Sequence, residues 1–190
     1  DVHDETARSL LVKGGAAADG IRVRIPEHMV TRALSTVPER ITLYDRNKKV
    51  AIRAWGHNTH FGGGSDCLNL LDHTTGKRRD PVLEDVVNAA RVMDALPEID
   101  FVMSLILPRD VHQSIYDRYQ MEVMLNNTTK PIVFVSPDFE GCKAAIEMCE
   151  AVAGGPEAFR QSPFATCYIN VTSGMVINEE AIQKSMYLAK

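Results

Sequence analysis

Phe101-Val102-Met103-Ser104-Leu105-Ile106-Leu107, Pro131-Ile132-Val133-Phe134-Val135 and Ala165-Thr166-Cys167-Tyr168-Ile169 decide the fold. Each is a short run, largely apolar on both faces, and each leads into a helical pattern, over residues 115–125, 142–153 and 179–189. A strand with two apolar faces must be covered on both, as happens in a parallel sheet flanked by helices. Three such units with no dinucleotide-type glycine loop predict an α/β chain and favour a barrel over a doubly wound sheet. A closed barrel takes about eight strands and about 250 residues, so the expected fold is a partial TIM (β/α)8 barrel.

Upstream the grammar differs. Helical spacing over residues 5–13 stops at Gly14-Gly15, residues 22–25 alternate as a strand, and Pro26 opens a second helix. Short strands follow at 41–44 and 50–52, then the run His60-Phe61-Gly62-Gly63-Gly64-Ser65-Asp66, then another at 68–71 with a turn over 72–76. From Asp80-Pro81 a helix carries Val82, Val86, Ala89, Ala90, Val92 and Met93 at threes and fours. The chain thus divides into a β-rich N-terminal α+β section with a Gly-rich loop, residues 1–79, and three βα units of an incomplete barrel, residues 80–190.

The 190 residues carry a net charge of −4, which argues against a nucleic-acid surface because phosphate binding needs clustered Lys and Arg. The one basic cluster, Lys77-Arg78-Arg79, is followed by Asp80 and reads as a solvated turn. No stretch approaches the ~18 apolar residues of a membrane span, and the acidic opening Asp1-Val2-His3-Asp4-Glu5 is unlike a signal peptide. Cys67, Cys142, Cys149 and Cys167 form no Cys-x-x-Cys pair, so reduced thiols and a cytoplasmic location are expected.

In a βα barrel the functional groups collect at the carboxyl ends of the strands. Those ends carry Arg109 and Asp110 with His112 behind, then Ser136 and Asp138, then Asn170, Thr172 and Ser173. Such groups could hold a small polar or cationic molecule, or simply cap the next helix. Gly62, Gly63 and Gly64 free the backbone for positive φ and for close approach of a ligand or of another chain segment. His57 and His60 with Asp66 and Cys67 raise the question of a metal, but the spacing needs matching ligands from elsewhere, and no metal is expected. Asp138, Asn170 and Ser173 are the expected mouth with Arg109 beside them, and His60 with Gly62, Gly63 and Gly64 an adjacent wall. The catalytic residues themselves stay unassigned.

The ordered set of segments resembles the trimethylamine methyltransferase family. It runs from Val2-His3-Asp4-Glu5 through Val23-Arg24-Ile25-Pro26, Ile41-Thr42-Leu43-Tyr44-Asp45-Arg46, His60-Phe61-Gly62, Leu71-Asp72 and Thr75-Gly76 to Asn127-Thr128-Thr129-Lys130-Pro131. The resemblance implies a TIM barrel that passes a methyl group from a methylated amine to the cobalt of a partner corrinoid protein. The methylcorrinoid would be carried by that partner, with no cofactor bound directly. It implies trimethylamine as substrate where a pyrrolysine is used, and glycine betaine among relatives without one; the pyrrolysine position would lie beyond Lys190. A stretch covering well under half of a full-length member is expected to be inactive alone. Two other readings stand beside this one. One is a TIM-barrel lyase or aldolase, although neither Lys130 nor Lys143 sits at the carboxyl end of a strand. The other is a non-catalytic module that binds another protein through its β-rich N-terminal section; the open strand edges of an incomplete barrel would favour a homo-oligomer.

Overall fold

The computed structural model describes residues 1–170 and 174–189. Along the chain come α1 (Glu5–Lys13), β1 (Ala17–Asp19), β2 (Arg22–Arg24), α2 (Glu27–Ser35), β3 (Ile41–Tyr44), β4 (Val50–Ala54), β5 (Leu70–Leu71) and β6 (Arg78–Arg79). They are followed by α3 (Leu83–Ala95), α4 (Tyr116–Asn127), β7 (Ile132–Phe134), α5 (Phe139–Ala153), α6 (Pro156–Gln161), β8 (Ala165–Cys167) and α7 (Glu179–Leu188). The elements form two compact units, Asp1–Glu39 with Ile169–Lys190, and Arg40–Tyr168.

The first unit joins distant parts of the chain. Val2 bridges Ile177 in parallel, and its N–H reaches the Ile21 carbonyl at 2.8 Å. Asp4 is the N-cap of α1, its Oδ1 accepting from the Ala7 N–H at 2.7 Å, and Asn178 caps α7 in the same way through Ala181. These caps satisfy donors that a helix start leaves without partners. Ala7 and Ala181 are the small buried residues on the two capped helices.

The second unit is organised by a parallel ladder. Ile132, Val133 and Phe134 of β7 pair with Ala165, Thr166 and Cys167 of β8. Val102 bridges Ile132, Gly62 bridges Phe101 and Cys67 bridges Ile106, all in parallel. Four segments therefore lie side by side in chain order. Helices α3, α4 and α5 pack as successive neighbours, and their buried stripes carry the helical period: Val86, Ala90 and Met93 on α3, and Cys142, Ala145, Ile146 and Cys149 on α5. Gly154, at φ 92°, ends α5 in the left-handed conformation that a glycine C-cap supplies.

Several expectations need correction. Residues 101–107 do not form one continuous strand: pairing is confined to Phe101, Val102 and Ile106, because Leu105 turns to φ 59° and breaks the extended run. Gly62, Gly63 and Gly64 adopt no positive φ. Their segment is extended and takes the first place in the ladder, and missing side chains, not unusual dihedrals, are what Gly62 and Gly63 contribute. A Cβ on Gly62 would collide with the Phe101 ring, and one on Gly63 would lie 2.5 Å from the Met93 sulfur, whereas Gly64 faces open space.

The basic cluster is not a solvated turn either. Arg78 and Arg79 pair with Leu71 and Leu70, and the Arg79 guanidinium forks onto both oxygens of Asp85 at 2.7 Å. Its Nε donates to Asp72 Oδ2 at 3.1 Å. Asp85 also reaches back to the Val82 N–H at 2.9 Å, tying β6 to the start of α3; Val82 has no acceptor with which to complete a reciprocal cap. Asp72 Oδ1 takes the Thr75 N–H, the Thr74 N–H and the Thr75 hydroxyl of its own turn. The helix α6 and the strand β1 had no counterpart in the sequence reading, and α5 begins three residues before Cys142 because Asp138 caps it.

Gly62→Ala should lower the unfolding free energy by about 1–3 kcal/mol through overpacking, while Gly64→Ala should stay within about 0.5 kcal/mol; urea denaturation of the two variants measures the difference. The second expected outcome concerns pH. Hydrogen bonds from Thr75 and then Arg79 hold the Asp72 carboxyl down at about 2, and the Arg79 fork lowers that of Asp85. Both values are depressed, so their contribution to stability is complete above the unfolded value of about 3.9 and lost as pH falls through the folded one. Arg79→Met should flatten this acid limb, read as urea midpoint against pH; an unchanged limb would refute the assignment.

Candidate functional site

At the carboxyl end of the ladder the first two segments bend in step. Asp66 has φ 57° and Leu105 φ 59°, and hydrogen bonds from Leu105 N–H to Gly64, Cys67 N–H to Leu105 and Leu107 N–H to Cys67 hold the pair at 2.9, 2.9 and 3.0 Å. Left-handed backbone at non-glycine residues costs of order 1–3 kcal/mol and persists only where the surroundings enforce it. Here the enforcement comes partly from α4, whose buried Gln120 donates its side-chain N–H to the Ile106 carbonyl at 2.7 Å.

The first turn of α4 faces the end of β7. Ser136 is buried and its hydroxyl donates to Asp117 Oδ2 at 2.7 Å. Asp117 is itself only 5% exposed, with Arg118 Nη1 at 3.4 Å from its other oxygen. Gly141, in the first turn of α5, is where this arrangement is tightest: a Cβ there would run into both the Asp117 carboxylate and the Ser136 hydroxyl. Asp138 caps α5, its Oδ1 accepting from the Gly141 N–H at 2.6 Å, with Arg118 Nη2 3.9 Å away.

Tyr116 stands among these groups. Burial, followed by the negative charges of Asp66, Asp117 and Asp138, pushes its phenol up to about 12, so it remains a neutral donor at physiological pH. Burial also raises the Asp66 carboxyl, against the pull of a hydrogen bond from Ser65. Three carboxylates act on one phenol, with Arg118 as the nearby cation, so the carboxyl end of the ladder carries a negative potential.

The expected site residues have separate fates. Asp138 belongs with these carboxylates, although its nearer oxygen is engaged as a helix cap. Arg109 is exposed, with its backbone N–H on the Pro81 carbonyl at 2.9 Å, and Asp110 Oδ1 accepts from the Leu83 N–H. His60 ties its loop to β4 and to the segment after α3: Nε2 accepts from the Arg53 N–H at 3.1 Å and Nδ1 faces Asp100 Oδ2 at 3.6 Å. Gly62 and Gly63 are occupied by packing against Phe101 and Met93, leaving Gly64 the open member of the three. Asn170 is exposed and belongs to the first unit, and Ser173 lies outside the described residues.

Tyr116 and Asp117 were absent from the sequence reading. A signal existed, since Asp117 and Gln120 interrupt an otherwise apolar stripe with Met121, Met124 and Leu125, and a buried carboxylate and amide at i, i+3 are unusual there. Among the described residues no three His, Cys, Asp or Glu side chains come together to hold a metal ion. None of the described helices is long and apolar enough to cross a membrane.

A family model described as trimethylamine methyltransferase (MTTB) matches residues 1–190. Trimethylamine methyltransferase MttB of Desulfitobacterium hafniense is 30% identical over 182 residues, which is 95% of this chain and 37% of that protein. MttB1 of Methanosarcina mazei and MttB of Methanosarcina thermophila are each 26% identical over 189 residues, 96% of this chain and 38% and 39% of theirs. The chain thus spans a little over a third of the length of these relatives.

The geometry around Tyr116 makes a direct expectation. The ultraviolet difference titration between the protein and its Tyr116→Phe variant should show a phenol ionising near 12. Asp117→Asn should move that transition toward the ordinary tyrosine value of about 10. A Tyr116 transition already at the ordinary value would contradict the carboxylate surroundings described above.

Proposed function

The chain belongs to the trimethylamine methyltransferase family, and from that membership we propose that the protein transfers a methyl group from a methylated amine to the cobalt of a corrinoid protein. The observation that carries the proposal is the family match over the whole chain. The amine would be trimethylamine or a quaternary amine such as glycine betaine. The fold proposed for the complete protein is a TIM (β/α)8 barrel to which this chain contributes a part. Support for it comes from the unidirectional order of the parallel ladder, in which residues 62, 101, 132 and 165 are neighbours in chain order without a reversal.

The residues at the carboxyl ends of the ladder suit such a substrate. Trimethylammonium and a quaternary ammonium both present a cation sheathed in methyl groups, with little or no N–H to donate. Recognition then relies on aromatic faces and on carboxylates nearby, and Tyr116 with Asp66, Asp117 and Asp138 offers both. Asn170 and Ser173 are proposed separately as substrate-binding residues, and the segment of His60 and Gly62, Gly63 and Gly64 as support for the surroundings of Tyr116. The partner's corrinoid would supply the cobalt nucleophile. That group would serve as the methyl acceptor, the electrons of the broken C–N bond staying on the nitrogen of the amine, which would depart with one methyl fewer. The chain's part is to hold nitrogen, carbon and metal in line and to exclude water, which is orientation and desolvation in place of acid–base work.

Visible spectroscopy of the corrinoid partner, mixed with the full-length protein and a panel of methylated amines, tests the proposal. Cobalt methylation is expected with trimethylamine or with a quaternary amine, and its absence with every amine would overturn the proposal. Asp117→Asn should weaken apparent amine affinity by about tenfold, near 1.4 kcal/mol. Asp138→Asn and Asn170→Ala, if both leave turnover and affinity unchanged, would remove those residues from substrate binding.

A further inference from the structure

We propose that the opposite, amino end of the same strands carries a second binding site, for a small oxyanion of the phosphate class. A cavity of about 360 Å³ opens there, lined by Asp45, Arg46, Lys48, Thr129, Ser162 and Phe164 among others. Thr129 lies just before β7 and Phe164 just before β8, so the cavity sits at the starts of both strands. The β3–β4 turn is docked against them by backbone hydrogen bonds, Tyr44 N–H to the Pro163 carbonyl at 2.8 Å and Arg46 N–H to the Thr129 carbonyl at 2.9 Å.

The donors around this cavity are uncommitted. Arg46 Nε is buried and has no hydrogen-bond partner among the described residues. Neither Arg46 nor Lys48 takes part in an ion pair there. The side-chain hydroxyls of Thr129 and Ser162 make no hydrogen bond among the described residues. The one carboxylate in the lining, Asp45, uses its Oδ1 to accept the Asn47 and Lys49 N–H groups at 2.9 and 2.8 Å, which shapes the turn and sets Lys48 at φ 63°. Two of the carbonyls at the end of α5 are also occupied, since Gly154 and Gly155 N–H groups cap Ala151 and Glu150.

A buried guanidinium N–H without an acceptor is costly, and native proteins satisfy nearly all such groups. The lining holds two cations against one carboxylate, whose Oδ1 is taken up by the turn, with two hydroxyls to spare. That set matches a tetrahedral oxyanion, whose oxygens accept charge-assisted hydrogen bonds from Arg and Lys. The cavity is also large enough for a ligand bigger than the anion alone, within the range of small-molecule sites.

Isothermal titration of the full-length protein with inorganic phosphate, at fixed ionic strength in chloride, tests the site independently of methyl transfer. Acetate and an acidic peptide form parallel arms. Phosphate should bind saturably and at least about tenfold more tightly than acetate. Arg46→Met should weaken it by about tenfold or more, and Lys48→Asn, which suits the left-handed backbone, by a few-fold. No saturable response beyond chloride, or phosphate affinity unaltered in both variants, would overturn the proposal. Should Arg46→Met fail to fold, Lys48→Asn and Ser162→Ala decide the matter, and unchanged affinity in both refutes the site. Equal or tighter binding of acetate or the peptide would reject a phosphate-class ligand in favour of a carboxylate.

Discussion

The second unit depends on how closely the segment of Gly62 and Gly63 can approach the segment beginning at Phe101. Strands in a ladder lie about 4.8 Å apart, and side chains on the covered face normally stand between the sheet and its helices. Here the Phe101 ring and the Met93 thioether occupy the space where two Cβ atoms would be. The approach lets Gly62 and Cys67 bridge Phe101 and Ile106, which brings Asp66 to the carboxyl end of the ladder beside Leu105. Without the glycines the first segment would stand off, and the bend that carries Asp66 would lose its partner.

A second close approach sets the rest of the candidate site. Gly141 leaves room for the Ser136 hydroxyl to meet Asp117, and the same glycine's N–H is the donor that Asp138 caps. One residue thus connects α4, the end of β7 and the start of α5. Asp117 and Asp138 both lie against Arg118, and Asp117 is there at the cost of burying its negative charge, which only hydrogen bonds and a nearby cation can offset. Ser136 and Arg118 supply those, while burial first, and then the charges of Asp66, Asp117 and Asp138, raise the phenol of Tyr116.

How much of this the amino-acid sequence reveals follows from the range of each interaction. Strands β7 and β8 and helices α1, α3, α5 and α7 are legible because their signals are local: apolar runs of strand length, helical spacing, caps such as Asp4 and glycine stops such as Gly154. The run from residue 101 to 107 looked like an uninterrupted strand because nothing local marks Leu105 for a positive φ; its conformation is imposed by hydrogen bonds to Gly64 and Cys67, some forty residues away. Arg79 differs in range: its partners Asp72 and Asp85 are only six or seven residues away, but on the far sides of a hairpin turn and of a strand-to-helix turn that charge counting does not see. In the candidate site, Asp138 is found by its place after a strand, whereas Asp117 depends on Ser136 and Gly141 from two other elements. Residues that act through long-range packing leave only an odd polar position on an apolar stripe.

The two ends of the ladder carry opposite surroundings, carboxylates about Tyr116 at one end and Arg46 with Lys48 at the other. From Thr129 to Ser136 the chain covers seven steps, about 23 Å at the rise of a strand, and two unit charges that far apart at an effective dielectric of about 20 interact by less than about 1 kcal/mol. Electrostatics alone therefore cannot link them. Helix α5 can, because its N-terminal turn contributes Gly141 to the tight contact with Asp117, while Val152 and Ala153 in its last turn line the cavity beside Arg46. A fifteen-residue helix of about 22 Å transmits displacement as a rod, and at Gly141 there is no free space to absorb one. The amino and carboxyl ends are thus joined mechanically by two elements, α5 and the segment of β7 that runs from Thr129 to Ser136, and both meet at the Ser136–Asp117 hydrogen bond beside Gly141.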